Sequence, residues 1–196
     1  FYMAILAVSM FGISWRFLPD SRALAATIIF CAAPGLQDLL TTQLVDLAIV
    51  AWVAAAYWAL LESEGFVSWP ASIAFAVLHA VGMLHKWSFF SYMIPAYLVA
   101  ARATRDRDAR LIVTAAVGLS VLISAPWYWS HLALLPTRLV QASSDFAIPF
   151  WKQGAWAAYL IQSCLSLGPL LWALGFVAIL APQYERRREN AWVIVY

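Results

Sequence analysis

The chain has 196 residues, of which 64% are hydrophobic and 11% charged, with a net charge of +2 and a mean hydropathy of +0.79. Soluble globular domains hold roughly 45–50% apolar residues, so this composition points to the membrane. Ten-residue stretches of strict in/out alternation, which a β-barrel needs, are missing from the sequence. An all-α, polytopic integral membrane helical bundle is the expected class.

Taken in chain order, the apolar stretches predict spans at 1–15, 22–36, 44–61, 70–84, 87–101, 111–126 and 155–181, with another starting at 191. Together they make one transmembrane domain. Phe1–Trp15 reads as the end of a span in a longer protein, because no charged signal region precedes it. Pro34-Gly35 is expected to stop the second span. Eleven tryptophans, many near apolar–polar boundaries, fit interfacial belts. Cys31 and Cys164 sit inside apolar runs and read as small buried hydrophobes.

The stretch from Pro70 to Ala101 poses the central question. As one helix its 32 residues would reach about 48 Å, too long for a hydrocarbon core of about 30 Å. Broken at His85-Lys86, it becomes a hairpin of two short helices. Charge counting favours the hairpin. It gathers Arg16, Arg22, Arg102, Arg105, Arg107, Arg110, Arg186, Arg187 and Arg188 on one side, nine of the twelve basic residues, as the positive-inside rule asks of a cytoplasmic face. A single crossing would split them seven to four and leave Lys86 in the membrane. The mixed-sign run Arg102–Arg110 is an orientation signal rather than a nucleic-acid patch.

The hairpin sends Lys86 to the opposite face. It meets there Gln37-Asp38, Asp46 at the start of the next helix, and a non-cytoplasmic segment at 127–154. Lys86 is either a snorkelling anchor or a compact cation suited to phosphate. Asp46 either faces its helix dipole or orients Lys86 and binds a sugar hydroxyl. His79 is expected to make an interhelical hydrogen bond, and Asp38 to sit in a loop. Pro126-Trp127-Tyr128 is expected to end a helix, with Trp127 and Tyr128 as interface anchors or as a wall against a sugar or lipid head group. Arg138 and Lys152 are candidate phosphate ligands or solvated loop charges. His85 and His131 are candidates for the same polar rim. The three histidines lack metal-ligand spacing, so neither metal nor cofactor is expected. No Gly-rich phosphate loop, paired-carboxylate motif or nucleophile elbow is present.

Three stretches resemble the GT-C glycosyltransferases, in the branch of protein O-mannosyltransferases and lipid A aminoarabinose transferases. They are Thr41-Thr42-Gln43-Leu44-Val45-Asp46-Leu47, Ala80-Val81-Gly82-Met83-Leu84-His85-Lys86 with Pro95 in the next helix, and Ser124-Ala125-Pro126-Trp127-Tyr128. The likeness runs from about Arg22 to Ala181. In that family the lysine segment is typically Leu-Thr-Lys-Gly, where this chain has His85 and Trp87. The resemblance implies transfer of a sugar from a polyprenyl-phosphate donor to a lipid or protein acceptor at the non-cytoplasmic face, in a bacterial plasma (inner) membrane. Lys86 would contact the donor phosphate, Asp46 would line the same cavity, and Arg138 or Lys152 would help neutralise charge. The family's catalytic carboxylate follows its first span, so the general base is expected upstream of this segment. The rival reading is a transporter or channel segment that uses Lys86, Asp46 and His79 as a polar relay.

Overall fold

The computed structural model describes residues 1–42 and 44–134, together with residues 137, 154, 157, 158, 160, 161, 164 and 165. Most of the expected span at 155–181, the start of another at 191, Arg138, Lys152 and most of the 127–154 segment lie outside the described residues. Among the described residues the secondary structure is helical, without strands.

Within the described residues eight α-helices follow in order: α1 Tyr2–Trp15, α2 Asp20–Cys31, α3 Pro34–Thr42, α4 Leu44–Glu62, α5 Trp69–His85, α6 Phe89–Tyr92, α7 Ile94–Ala103 and α8 Arg107–His131, with a short 3-10 turn at Leu132–Leu134. Two are long and apolar enough to cross a membrane, α4 and the α8 stretch Arg107–Leu134. Counting α2 and α3, bent by 52°, as one broken span makes three. These lengths and compositions are consistent with membrane association.

Local chemistry sets the helix ends. Asp106 caps α8 by accepting from the backbone N–H groups of Asp108 and Ala109, both at 2.9 Å. Pro70 and Pro95 sit in the first turns of α5 and α7, where a missing N–H leaves no helical bond unmade. The turn after α4 is held by Ser63, whose hydroxyl donates to the Leu60 carbonyl and accepts from the Phe66 N–H. Glu64, Gly65 and Phe66 all have positive φ there, and the buried Phe66 ring plugs the core from below.

Three expectations about boundaries are corrected. Pro34-Gly35 follows the end of α2 at Cys31, as expected of a stop, and also opens α3, so Asp38 lies within a helix and not in a loop; proline suits a first helical turn as well as a position just past a helix end. The expected helix 87–101 is split at Met93. Pro95 cannot donate to the carbonyl four residues earlier, so the ladder is interrupted there. Pro126 does not end its helix, because α8 continues through it to His131; one lost backbone bond is tolerated where neighbouring packing holds the rest.

Side-chain contacts fix the directions. Tyr2 lies beside Trp52, and Arg16 pairs with Glu62 and Glu64, so α1 and α4 run the same way. At Lys86 the chain reverses. Gly82 packs on Phe89, His79 bonds Tyr97, and Ala100 lines the same cavity as Phe75 and Ala76. Helices α5 and α6–α7 therefore form the hairpin that the charge distribution favours. Helix α8 then runs parallel to α5, with Ser120 at His79 and Tyr128 at Met83. Among the described residues, Arg16, Arg22, Arg102, Arg105, Arg107 and Arg110 lie at one end of the bundle and Lys86 at the other.

Helix α4 is the central element. Its alanines Ala48, Ala51, Ala55 and Ala56 are buried and let both neighbours approach. One core cluster joins α4 to α5, α7 and α8 around Phe66, Phe89 and Met93; a second joins it to α1 and α3 around Leu6, Leu36 and Leu47. Helix α8 is peripheral, leaving Leu111, Val117, Val121 and Leu122 exposed.

Candidate functional site

Lys86 is the residue at which α5 ends. Its backbone is extended (φ −155°, ψ 128°), which directs the chain out of the helix and into the turn before α6. The turn is wedged from within, because a side chain at Gly82 would run into the buried ring of Phe89. Small size at 82 thus sets how closely α6 folds under α5.

The ammonium of Lys86 donates to the Asp46 carboxylate at 2.5 Å, joining residues 40 positions apart. Asp46 occupies the first turn of α4. The two side chains remain 40% and 35% exposed, so their charges are not stranded in a dry interior. An incoming anion can share the ammonium without leaving a buried, unsolvated carboxylate behind.

Both residues line a cavity of about 270 Å³ with Leu39, Ile49, Val50, Val53, Ser88 and Tyr92. Val50, Val53 and Tyr92 also line a larger cavity of about 490 Å³, whose other walls are Tyr57 and apolar side chains of α1, α2, α4 and α7. A charged pocket therefore opens beside a greasy one along α4. The Tyr57 hydroxyl donates to the Tyr92 carbonyl at 2.8 Å and ties α6 to α4 at their junction.

Of the remaining candidates, His85, Trp127, Tyr128 and His131 share this end of the bundle and are not among the residues that line the charged cavity. His85 sets its ring edge-on against Tyr2 at 5.7 Å. Trp127 stacks on His131 at 4.4 Å, and the His131 Nδ1 lies 2.8 Å from the Trp127 carbonyl. The Tyr128 hydroxyl donates to the Met83 carbonyl at 2.7 Å, clamping α8 to the end of α5. Among the described residues, no three His, Cys, Asp or Glu side chains gather as a metal site.

His79 forms a second polar cluster. Its Nδ1 lies 2.8 Å from the Ser120 hydroxyl and its Nε2 lies 2.7 Å from the Tyr97 hydroxyl. The expected interhelical bond is thus doubled, joining α5 to both α7 and α8. Leu39, Ser88 and Tyr92 were not singled out from sequence. Ser88 alone carried a signal, as a polar residue two positions after Lys86 in the break.

Compared with protein-family models, with curated proteins and with solved structures, the chain matches none.

Proposed function

We propose that this chain is part of a polytopic membrane glycosyltransferase, which moves a sugar from a polyprenyl-phosphate donor to a lipid or protein acceptor. The reaction takes place at the end of the bundle opposite the arginines, the non-cytoplasmic face of a bacterial plasma membrane. The supporting observation is that the Lys86–Asp46 cavity and the apolar cavity beside it share Val50, Val53 and Tyr92 in their linings. Such a pair suits an amphiphile whose phosphate lies by Lys86 and whose first isoprene units run along Val50, Val53 and Tyr92. Ligand sites of this kind are mostly apolar, with a few polar groups that fix orientation.

In this reading Lys86 stabilises the negative charge that grows on the phosphate oxygen as the sugar leaves. Arg138 and Lys152 are proposed as further phosphate ligands. The relay reading needs His79 to communicate with Lys86. Instead, both ring nitrogens of His79 are engaged by Ser120 and Tyr97, which favours the transferase.

The test uses the full-length protein in lipid nanodiscs with a polyprenyl-phosphate-linked sugar. Lys86→Ala is expected to lower transfer about 10- to 150-fold, the range for losing a hydrogen bond to a charged group, with expression unchanged. Unaltered turnover overturns the assignment.

A further inference from the structure

Asp46 raises a chemical question that anion binding alone does not answer. A site built only to hold phosphate would leave its lysine unopposed, yet here a carboxylate sits 2.5 Å from the ammonium. The pair sums to zero charge. Among the described residues, no other lysine or arginine stands at this end of the bundle.

Charge changes during sugar transfer. The bond between the anomeric carbon and the phosphate oxygen breaks, and its electron pair stays on that oxygen. The acceptor's nucleophilic atom bonds to the anomeric carbon and gives up its proton to a base. The donor is a phosphodiester with one negative charge. The lipid left behind is a phosphomonoester, which carries about −1.5 to −2 at neutral pH because its second pKa is about 6. The lipid tail, and hence its apolar contact, is the same before and after.

We infer that Asp46 is a specificity-determining residue that offsets the extra attraction of Lys86 for the doubly charged phosphomonoester, so that the spent carrier is not held in preference to the singly charged donor. This rests on the lipid-phosphate reading above. Lys86 attracts both lipids, and the doubly charged one more strongly. Asp46 opposes both as well, but opposes the second charge on the monoester in addition, and like charges at close range are disfavoured. The carboxylate thus weakens the hold on the spent carrier more than the hold on the donor.

The experiment measures binding of two sugar-free lipids, farnesyl phosphate and farnesyl methyl phosphate, to the full-length protein in neutral-lipid nanodiscs at about pH 8. Relative to the unsubstituted protein, Asp46→Asn is expected to shift the ratio of the two affinities about tenfold in favour of the monoester, chiefly by tightening the monoester. If Asp46→Asn does not fold, Ser88→Asp adds a second carboxylate to the same cavity and is expected to shift the ratio about tenfold in favour of the diester. A ratio that Asp46→Asn or Ser88→Asp leaves unchanged overturns the selectivity and leaves the phosphate site standing. Binding of neither lipid removes both this inference and the function it rests on.

Discussion

Two polar clusters bridge the helices of this bundle, and they are built for opposite tasks. Lys86 and Asp46 are charged, partly exposed and set on a cavity that lies beside an apolar one. His79, Tyr97 and Ser120 are polar groups joined by short hydrogen bonds that link three helices. A cluster whose partners are mutually satisfied has little reason to exchange them. A charge pair at the rim of a cavity can trade one partner for a ligand at small cost. The difference teaches that polarity within an apolar chain is not itself a mark of function; what the polar group faces decides.

Substitutions can break or sharpen this contrast. The largest effect is expected from Lys86→Met combined with Asp46→Asn. It removes both charges together and should retain the folded bundle, judged by thermal melting in detergent, while sugar transfer is lost. A melting point that collapses would make the pair structural, like its counterpart. Gly82→Val is expected to cost about 1–3 kcal/mol through overpacking against Phe89. It should also lower transfer, because the turn that carries Lys86 must shift; full activity would show that the turn adjusts freely. His79→Leu is expected to destabilise the bundle by about 1–2 kcal/mol, since interhelical hydrogen bonds in membranes average about 0.6 kcal/mol with a maximum near 1.7. Its donor affinity should be unchanged in the same nanodisc assay, and a marked loss would join the two clusters functionally. Ser120→Ala removes one of those bonds and is expected to cost about 0.6 kcal/mol in a double-mutant cycle with His79→Leu.

The hairpin was legible because charge is conspicuous against an apolar background. The arginines at 16, 22, 102, 105, 107 and 110 share an end only if the chain reverses near Lys86, and it does. The pairing of Lys86 with Asp46 followed from that reversal, which brings the start of α4 to the end of α5. The prolines were harder to read. Pro34 begins a helix, Pro95 interrupts one and Pro126 sits inside one, because the missing N–H has different consequences at the first turn and in the interior. Their roles depend on packing that no local pattern encodes. The partners of His79 were hidden for a related reason: Tyr97 and Ser120 lie 18 and 41 positions away, in helices whose rotation about their own axes sequence leaves open. The cavities are harder still, since empty space has no residue to name it.

The wedge of Phe89 against Gly82 separates two properties that usually change together. The charged groups at the mouth of the cavity belong to α4 and to the turn, whereas the offset between α5 and α6 is governed by an aromatic ring seated on a bare backbone position. Enlarging residue 82 while trimming residue 89 would reset that offset without altering a single charge. A lineage or a designer seeking to move Ser88 and Tyr92 relative to α4 has a dial that replaces neither Lys86 nor Asp46.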